Sequence, residues 1–133
     1  MKILFVCTGN ICRSPMAEVI FSHICKREKR KDITVKSAGT NAEVGEDMTK
    51  EAKIALIDNG FKMPKKRHRA TQFTGNMFEE FNHIICLNNG LFGKNIHQLY
   101  IEDPYQRGLN AYYEVAIKLK EALNNLYQEL FDK

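Results

Sequence analysis

The sequence predicts a single α/β domain over residues 1–133, a three-layer sandwich in which helices flank a central parallel sheet of about four strands. Three observations support this fold. The chain has 133 residues, of which 44% are hydrophobic, and this suits one compact core. Short apolar runs alternate with stretches of helical periodicity, an order typical of parallel sheets covered by helices. No internal repeat, linker or low-complexity tract interrupts that order.

The first strand and the first helix are predicted on either side of a short loop. Residues 2–7 form an apolar run that stops at Thr-Gly-Asn. Ser14 and Pro15 then begin a helix whose apolar residues recur at helical spacing as far as Ile24. Proline is favourable near a helix start because its missing N–H would have no intrahelical partner there. Ligands bind beyond the carboxyl ends of parallel strands, so this loop is the expected binding site.

Three elements are predicted in the middle of the chain. Residues 33–37 alternate in polarity and form a second strand, which Ala-Gly-Thr ends. Residues 50–59 carry apolar side chains at helical spacing and form a helix, which Gly60 ends. A short helix is expected around residues 75–81.

The last third of the chain predicts two strands and a long helix. Residues 83–87 are a continuous apolar run, as expected for a strand buried on both faces. Another strand is predicted over residues 96–101. Apolar side chains then recur at spacings of three and four over residues 112–130, which predicts an amphipathic closing helix.

The net charge of +4 is compatible with anionic partners but too small to indicate nucleic acid. Basic residues cluster over residues 26–31 and 62–69. Acidic residues interrupt the first cluster, so we interpret it as a solvated helix end. The second cluster is placed either in a solvated loop or at the border of a site for an acidic substrate.

The chain is expected to be a cytoplasmic protein without a membrane segment. Its longest apolar runs cover four or five residues, whereas a membrane-spanning helix needs about 20. The first apolar run is also shorter than the core of a signal peptide, about 7–15 residues. The four cysteines, Cys7, Cys12, Cys25 and Cys86, are too few for a disulfide scaffold and fit a reducing compartment. We expect a monomer or a weak dimer.

The loop after the first strand combines a cysteine with a site for an oxyanion. Cys7 ends the strand, and Arg13 follows six positions later where the helix begins. Loop N–H groups that point the same way as a helix N-terminus bind oxyanions, and an arginine adds a planar fork that matches two phosphate oxygens. The same positive field favours the reactive thiolate form of Cys7. The pattern therefore predicts a phosphate site that contains its own nucleophile.

Other residue types in the loop fit this interpretation. Gly9 allows an unusual backbone angle, and Asn10 tolerates left-handed geometry. Ser14 can cap the helix or donate to the sulfur of Cys7. A lone Cys-x5-Arg spacing is common by chance, and a lone cysteine is usually a buried, inert thiol. The complete nine-residue string between a strand and a helix is far more specific.

From Cys7 to Glu18 the sequence Cys-Thr-Gly-Asn-Ile-Cys-Arg-Ser-Pro-Met-Ala-Glu resembles the phosphate-binding loop of low-molecular-weight protein tyrosine phosphatases. Four later segments follow in the family's order, namely Ser37-Ala38-Gly39-Thr40, His68-x-Ala70-x-Gln72, His83-Ile84-Ile85-Cys86-Leu87 and Ile101-Glu102-Asp103-Pro104-Tyr105. The resemblance therefore spans nearly the whole chain.

The resemblance implies a two-step phosphomonoesterase that uses no metal and no cofactor. Cys7 would attack phosphorus to form a cysteinyl phosphate, while Arg13 and the loop amides hold the equatorial oxygens. Asp103 would protonate the leaving phenol and then act as a base toward water. The substrate would be a phosphotyrosine-containing protein or a small aryl phosphate, and inorganic phosphate would be the product.

The resemblance also implies roles for other residues. The substrate-binding set would consist of Thr8, Gly9, Asn10, Ile11, Cys12, Ser14 and Tyr105, with Tyr105 at the rim of the pocket. A hydrogen-bond network of Asn10, Ser14, Ser37 and His68 would shape the loop and support the thiolate. Without the resemblance, Asp103 would be a solvated residue in a turn, His68 a surface residue and Ser37 a partner of the backbone.

Cys12 has two interpretations of similar weight. Members of the family often carry a second cysteine here that pairs with the nucleophile on oxidation, so a reversible Cys7–Cys12 disulfide would protect Cys7 from irreversible oxidation. The alternative is a small packing residue. Cys25 and Cys86 are expected to lie in the core.

The chain departs from the family pattern around the substrate cleft. The loop over residues 41–45 is one residue short and lacks the usual aromatic, so one wall of the cleft is missing. Thr71 replaces an arginine, and Asn88 replaces an aspartate. The segment between the third strand and Ile101 is also shorter than usual.

Three alternatives within or near the fold follow. Related bacterial protein-arginine phosphatases typically carry threonine where this chain has Ile11, so the β-branched aliphatic residue favours phosphotyrosine. Arsenate reductases of the fold need two late cysteines, but Cys86 falls two positions before the matching site at Asn88, and no cysteine follows. A non-catalytic oxyanion-binding or redox-sensing module would have no need of Asp103.

Overall fold

The computed structural model describes residues 1–132, so the last residue of the predicted domain, 133, lies outside the described part. Four parallel strands form one sheet in the order β2-β1-β3-β4. They are β1 (Lys2–Cys7), β2 (Thr34–Gly39), β3 (His83–Cys86) and β4 (Ile96–Gln98). The helices are α1 (Arg13–Arg27), α2 (Lys50–Asp58), α3 (Met77–Glu80) and α4 (Leu109–Phe131). The predicted parallel sheet flanked by helices is confirmed.

Strand β1 lies at the centre of the sheet and is buried on both faces. Phe5 pairs in register with Ser37 of β2 and with Ile85 of β3. Its side chain, fully buried, packs edge-on against Phe21 of α1. An apolar run of this kind is stable only where both faces are covered. The first strand therefore anchors the loop that follows it.

The two faces of the sheet are covered unequally. On one face α1, α2 and α4 form the larger core, with Phe5, Met16 and Leu119 among its fully buried members. On the other face Leu4 and Val6 pack with Ile84 and Phe81 under the four-residue helix α3 and neighbouring loops. The helix that covers this second face is therefore much shorter than those on the first.

The element bounds differ from the sequence prediction mainly at β4. A strand over residues 96–101 was expected, but the regular ladder ends at Gln98. The chain still follows the sheet, because the N–H of Leu99 donates to Cys86 and the N–H of Ile101 donates to Leu87. Residues 105–107 then form a turn. Beyond the sheet, α2 ends as predicted, with Gly60 in the left-handed region at φ 87°.

Close backbone contact fixes the position of the loop between β1 and α1. Gly39 pairs with Cys7 at the end of β2, and a Cβ at Gly39 would lie 2.5 Å from the carbonyl oxygen of Thr8. Only glycine fits there. Among residues 1–132, no helix combines the length and the apolar character needed to cross a bilayer.

Candidate active site

The sulfur of Cys7 lies where the central strand meets the first turn of α1. The side chain is 2% exposed. The Sγ atom is 2.9 Å from the Ser14 hydroxyl oxygen, and the backbone N–H of Ser14 donates to it over 3.4 Å. The N-cap position of α1 is Cys12, and its side chain makes no capping bond. Ser14 therefore contacts the sulfur rather than capping the helix, which was one of the two expected roles.

Asn10 holds the loop in shape through both its side chain and its backbone. It is fully buried and adopts φ 58°, the left-handed geometry predicted for it. Its Nδ2 donates to the Ser14 hydroxyl over 2.7 Å, and its Oδ1 accepts the N–H of Thr71 over 2.9 Å. Its carbonyl oxygen lies 2.6 Å from Nε2 of His68. Three separate contacts thus fix one residue in the left-handed region.

The Arg13 guanidinium is buried and only partly paired. Its Nη1 donates to the carbonyl of Ile101 over 3.0 Å, and its Nη2 donates to the Thr8 hydroxyl over 3.3 Å. The Nε atom is buried and has no hydrogen-bond partner within the described residues. Buried donors are usually paired, and an arginine fork matches the oxygens of a phosphate. A bound oxyanion would complete this arrangement.

Asp103 approaches the same guanidinium from the outer side. Its Oδ2 lies 3.6 Å from Nη2 of Arg13, and the Asp103 side chain is 53% exposed. The N–H of Tyr105 donates to its Oδ1 over 3.1 Å. Tyr105 itself is largely exposed. The structure thus brings Asp103 and Arg13, residues far apart in the sequence, to one end of the sheet with Cys7.

The expected four-residue network exists in two parts. Asn10, Ser14 and His68 are joined by direct hydrogen bonds. The Ser37 hydroxyl instead donates to the Glu18 carboxylate over 2.5 Å. Burial raises the pKa of Glu18, against the opposing effects of the Ser37 hydrogen bond and the charge of His68. A direct bond from Ser37 to the loop is therefore not formed, because Glu18 takes its hydroxyl.

The second loop cysteine has a different partner from the first. The Cys12 sulfur lies 3.2 Å from the hydroxyl oxygen of Tyr112, a fully buried residue of α4. Burial raises the pKa of the Cys12 thiol to about 11, although the Tyr112 hydrogen bond acts in the opposite direction. Cys12 is therefore a neutral thiol near pH 7. Cys25 and Cys86 are buried, as expected.

Asn88 braces the outer side of the loop. Its Nδ2 donates to the Thr8 hydroxyl over 3.0 Å and to the Thr40 hydroxyl over 3.2 Å. Its Oδ1 accepts the N–H of Gly90 over 3.1 Å. An aspartate could not donate these bonds to Thr8 and Thr40. The sequence singled out Asn88 only as a departure from the family pattern and gave it no contact.

The outer residues of the loop are open to solvent while the inner ones are not. Thr8 is exposed, Gly9 and Ile11 are partly exposed, and Cys12 is buried. No group of three or more His, Cys, Asp or Glu side chains in residues 1–132 is arranged to hold a metal ion. The arrangement can therefore bind a tetrahedral oxyanion directly against a cysteine sulfur, with a carboxyl group at the entrance.

Comparisons with known proteins agree with this geometry. A protein-arginine-phosphatase of Bacillus subtilis is 28% identical to the chain over 149 residues, covering 98% of this chain and 97% of the relative. A low molecular weight phosphotyrosine protein phosphatase of Schizosaccharomyces pombe is also 28% identical, over 156 residues, covering 98% of this chain and 97% of the relative.

A solved structure and a family model complete the comparison. The low molecular weight protein tyrosine phosphatase from T. tengcongensis superposes with a TM-score of 0.85 at 30% identity, covering 98% of this chain and 99% of that one. The model of the low molecular weight phosphotyrosine protein phosphatases matches residues 2–133. The chain belongs to the low molecular weight phosphotyrosine protein phosphatase family.

Proposed function

We propose that this phosphatase hydrolyses phosphotyrosine through a phosphocysteine intermediate. One observation carries the proposal: the Cys7 sulfur, the buried Arg13 fork with its unpaired Nε, and the Asp103 carboxyl lie at the same end of the sheet. A binding module needs the first two groups. The carboxyl beside them supplies the acid and base that turnover requires.

In the first step the Cys7 thiolate attacks phosphorus and an S–P bond forms. The P–O bond to the phenol breaks, its electron pair stays on the phenolic oxygen, and Asp103 supplies the proton. Arg13 and the backbone N–H groups of residues 8–14 hold the three equatorial oxygens as their charge develops. The Ser14 hydroxyl, 2.9 Å from the sulfur, can donate a hydrogen bond to it during this step.

In the second step water attacks the phosphocysteine. The Asp103 carboxylate takes a proton from that water, the S–P bond breaks, and the Cys7 thiolate and inorganic phosphate are released. No electron is transferred, and neither a metal ion nor a cofactor takes part in this scheme. A cytoplasmic location, where the thiols stay reduced, fits the chemistry.

The choice of phosphotyrosine depends on the outer part of the loop. Ile11 is partly exposed there, and an aliphatic side chain suits the face of a phenyl ring. Phosphoarginine is the second candidate, supported by the Bacillus subtilis relative and by the missing aromatic over residues 41–45. The two full-length relatives of different specificity are equally identical to this chain, so overall similarity does not discriminate between the substrates.

The test is phosphate release without added metal from three substrates: p-nitrophenyl phosphate, a phosphotyrosine peptide and a phosphoarginine peptide. We expect turnover of the first two and its loss in Cys7→Ser. An Ile11→Thr variant should shift the ratio of activities toward phosphoarginine. No turnover by fully reduced wild type would reject catalysis, and a wild-type preference for phosphoarginine would reject the substrate assignment.

A further inference from the structure

A groove of about 630 Å³ lies beside residues 68–71, which contact Asn10 of the loop between β1 and α1. The proposed catalysis does not use this groove. Its walls come from α1, β2, α2 and residues 63–69, which belong to the second basic cluster of the sequence. The groove is far larger than a single oxyanion needs. A groove of this size has room for an extended segment and not only for a small ion.

The charge of the groove is strongly positive. Its lining includes the cationic side chains Lys36, Lys53, Lys65, Lys66, Arg67 and Arg69 but only two carboxylates, Glu18 and Asp47. Lys53 and Arg67 approach Asp47 at 2.6 and 3.8 Å, and Ser37 hydrogen-bonds Glu18. Within residues 1–132 the remaining four cations form no ion pair. Their charge is available to an anionic partner.

The lining of the groove also includes apolar side chains. Val19, Met48, Ile57, Met63 and Pro64 line the groove, and Ile57 is 56% exposed although it belongs to α2. An exposed aliphatic residue beside basic ones suits a protein segment that carries both acidic and apolar side chains. None of the described lining residues is Phe, Tyr or Trp, so the stacking surface that single-stranded nucleic acid requires is missing.

We propose that this surface, the basic groove, binds a segment of a partner protein in which acidic and apolar side chains alternate. The acidic side chains pair with Lys36, Lys65, Lys66 and Arg69, and the apolar ones pack on Met63 and Ile57. The proposal goes beyond dephosphorylation and does not require the partner to be phosphorylated.

The groove shares a residue with the support of the phosphate loop. His68 forms part of its lining, and Nε2 of His68 lies 2.6 Å from the carbonyl oxygen of Asn10. The next contact of the same segment runs from the N–H of Thr71 to Oδ1 of Asn10. A partner segment bound in the basic groove would therefore pack against residues 68–71, the segment that contacts Asn10.

The experiment measures binding of fluorescein-labelled peptides by fluorescence anisotropy at low ionic strength. The probe alternates Glu and Leu, and two control peptides replace either all Glu by Gln or all Leu by Ser. The test variant is Lys65→Gln/Lys66→Gln. Its matched control is Lys26→Gln/Lys31→Gln, which removes the same charge from exposed positions in the first basic cluster. Thermal melting verifies that both variants fold.

We expect the Glu-Leu peptide to bind wild type and the control variant equally, and the test variant about five- to tenfold more weakly, as for the loss of two exposed ion pairs. Both control peptides should bind more weakly than the probe. Equal weakening in both variants, no binding by wild type, or tighter binding of a single-stranded RNA than of the peptide would each overturn the proposal. Turnover of p-nitrophenyl phosphate tests the proposed function separately.

Discussion

The inner and outer halves of the candidate active site differ in how firmly the fold holds them. The inner half consists of Cys7, Asn10, Arg13 and Ser14, each at most 4% exposed. In the outer half, the Asp103 side chain is 53% exposed and Tyr105 is 48% exposed. The inner groups are tied to the sheet and to α1, whereas the outer groups lie on a turn. The comparison indicates that inner substitutions alter both stability and rate, and that outer ones alter rate alone.

Apart from loss of the nucleophile itself, the largest expected effect comes from the outer half. Asp103→Asn removes the group that protonates the leaving phenol, so kcat should fall by about 10²–10⁴. Because Asp103 is half exposed, the melting temperature should change little. Steady-state kinetics with phenyl phosphate and a thermal melt measure the two quantities on one sample.

Glu102→Gln is the matched control for Asp103→Asn. Glu102 is the adjacent carboxylate, and it pairs with Arg107 rather than with the phosphate loop. Its loss should leave kcat within about twofold of wild type, since a solvent-exposed ion pair contributes little. Equal losses in the two variants would mean that general charge, and not a proton donor at Asp103, supports turnover.

The inner half should respond in both stability and rate. Asn10→Ala removes buried hydrogen bonds to Ser14 and Thr71 and places alanine at φ 58°. We expect a loss of about 2–4 kcal/mol in the free energy of unfolding. Activity should fall at least tenfold, because the loop N–H groups lose their fixed direction. Urea denaturation and kinetics with p-nitrophenyl phosphate provide the measurements.

Asn10→Gly separates the two causes. Glycine tolerates positive φ but forms neither side-chain bond. It should therefore relieve the backbone strain of the alanine variant without restoring the hydrogen bonds. A melting temperature between those of wild type and Asn10→Ala is expected. If both variants were as stable as wild type, the side-chain bonds of Asn10 would not hold the loop.

Short-range patterns in the sequence carried the prediction for the inner half. Cys7, Asn10, Arg13 and Ser14 fall within one strand–loop–helix unit, so their types and spacing could indicate a phosphate site. Contacts between distant parts of the chain could be expected only where the resemblance implied them, as for Asp103 and His68. Cys12 and Tyr112 are 100 positions apart. A buried tyrosine in an amphipathic helix looks like any other core residue until its hydroxyl is placed.

Asn88 and Ser37 also form contacts with distant residues that the sequence did not predict. Asn88 lies 80 positions from Thr8, and it was noticed only because the family usually has an aspartate there. Ser37 was expected to belong to a network with Asn10, Ser14 and His68, but its hydroxyl donates to Glu18, which the sequence assigned no role. The alternation of strands and helices predicted a parallel sheet, whereas the pairing of individual polar groups depends on how α1 packs on β2.

A pH titration sharpens the comparison within the loop itself. Burial raises the pKa of the Cys12 thiol to about 11, from an ordinary value of 9.0. As the pH rises, the Cys12 thiol loses its proton in the unfolded chain before it does so in the folded chain. The contribution of this thiol to the free energy of unfolding is therefore complete below pH 9 and is lost as the pH rises toward 11. Each such thiol should reduce the free energy of unfolding by about 1.4 kcal/mol per pH unit in this range.

Two variants show how much each thiol contributes to the loss of stability at alkaline pH. Cys12→Ala should reduce the slope of the free energy of unfolding against pH by the contribution of one thiol. Cys25→Ala should do the same, because burial also raises the pKa of the Cys25 thiol to about 11. Tyr112, whose pKa burial raises as well, contributes with the same sign. Denaturant melts at intervals between pH 8 and pH 10.5 measure the slopes. A slope unchanged by Cys12→Ala would show that this thiol is not held neutral.

The smallest expected effect tests the boundary between the two halves. Asn88→Asp places a carboxylate where Asn88 now donates to Thr8 and Thr40, whose hydroxyls can rotate and donate to it instead. The brace therefore survives, but the new charge lies beside Thr8, whose hydroxyl also accepts from Arg13, and should repel a phosphate bound there. We expect KM for p-nitrophenyl phosphate to rise about threefold with kcat unchanged, as for a weakly screened like charge. Asn89→Asp, which adds the same charge one residue further out, should raise KM less, and the difference should shrink with added salt. A fall in kcat instead of a rise in KM would place Asn88 with the inner half, as a residue whose donated bonds set the direction of the loop.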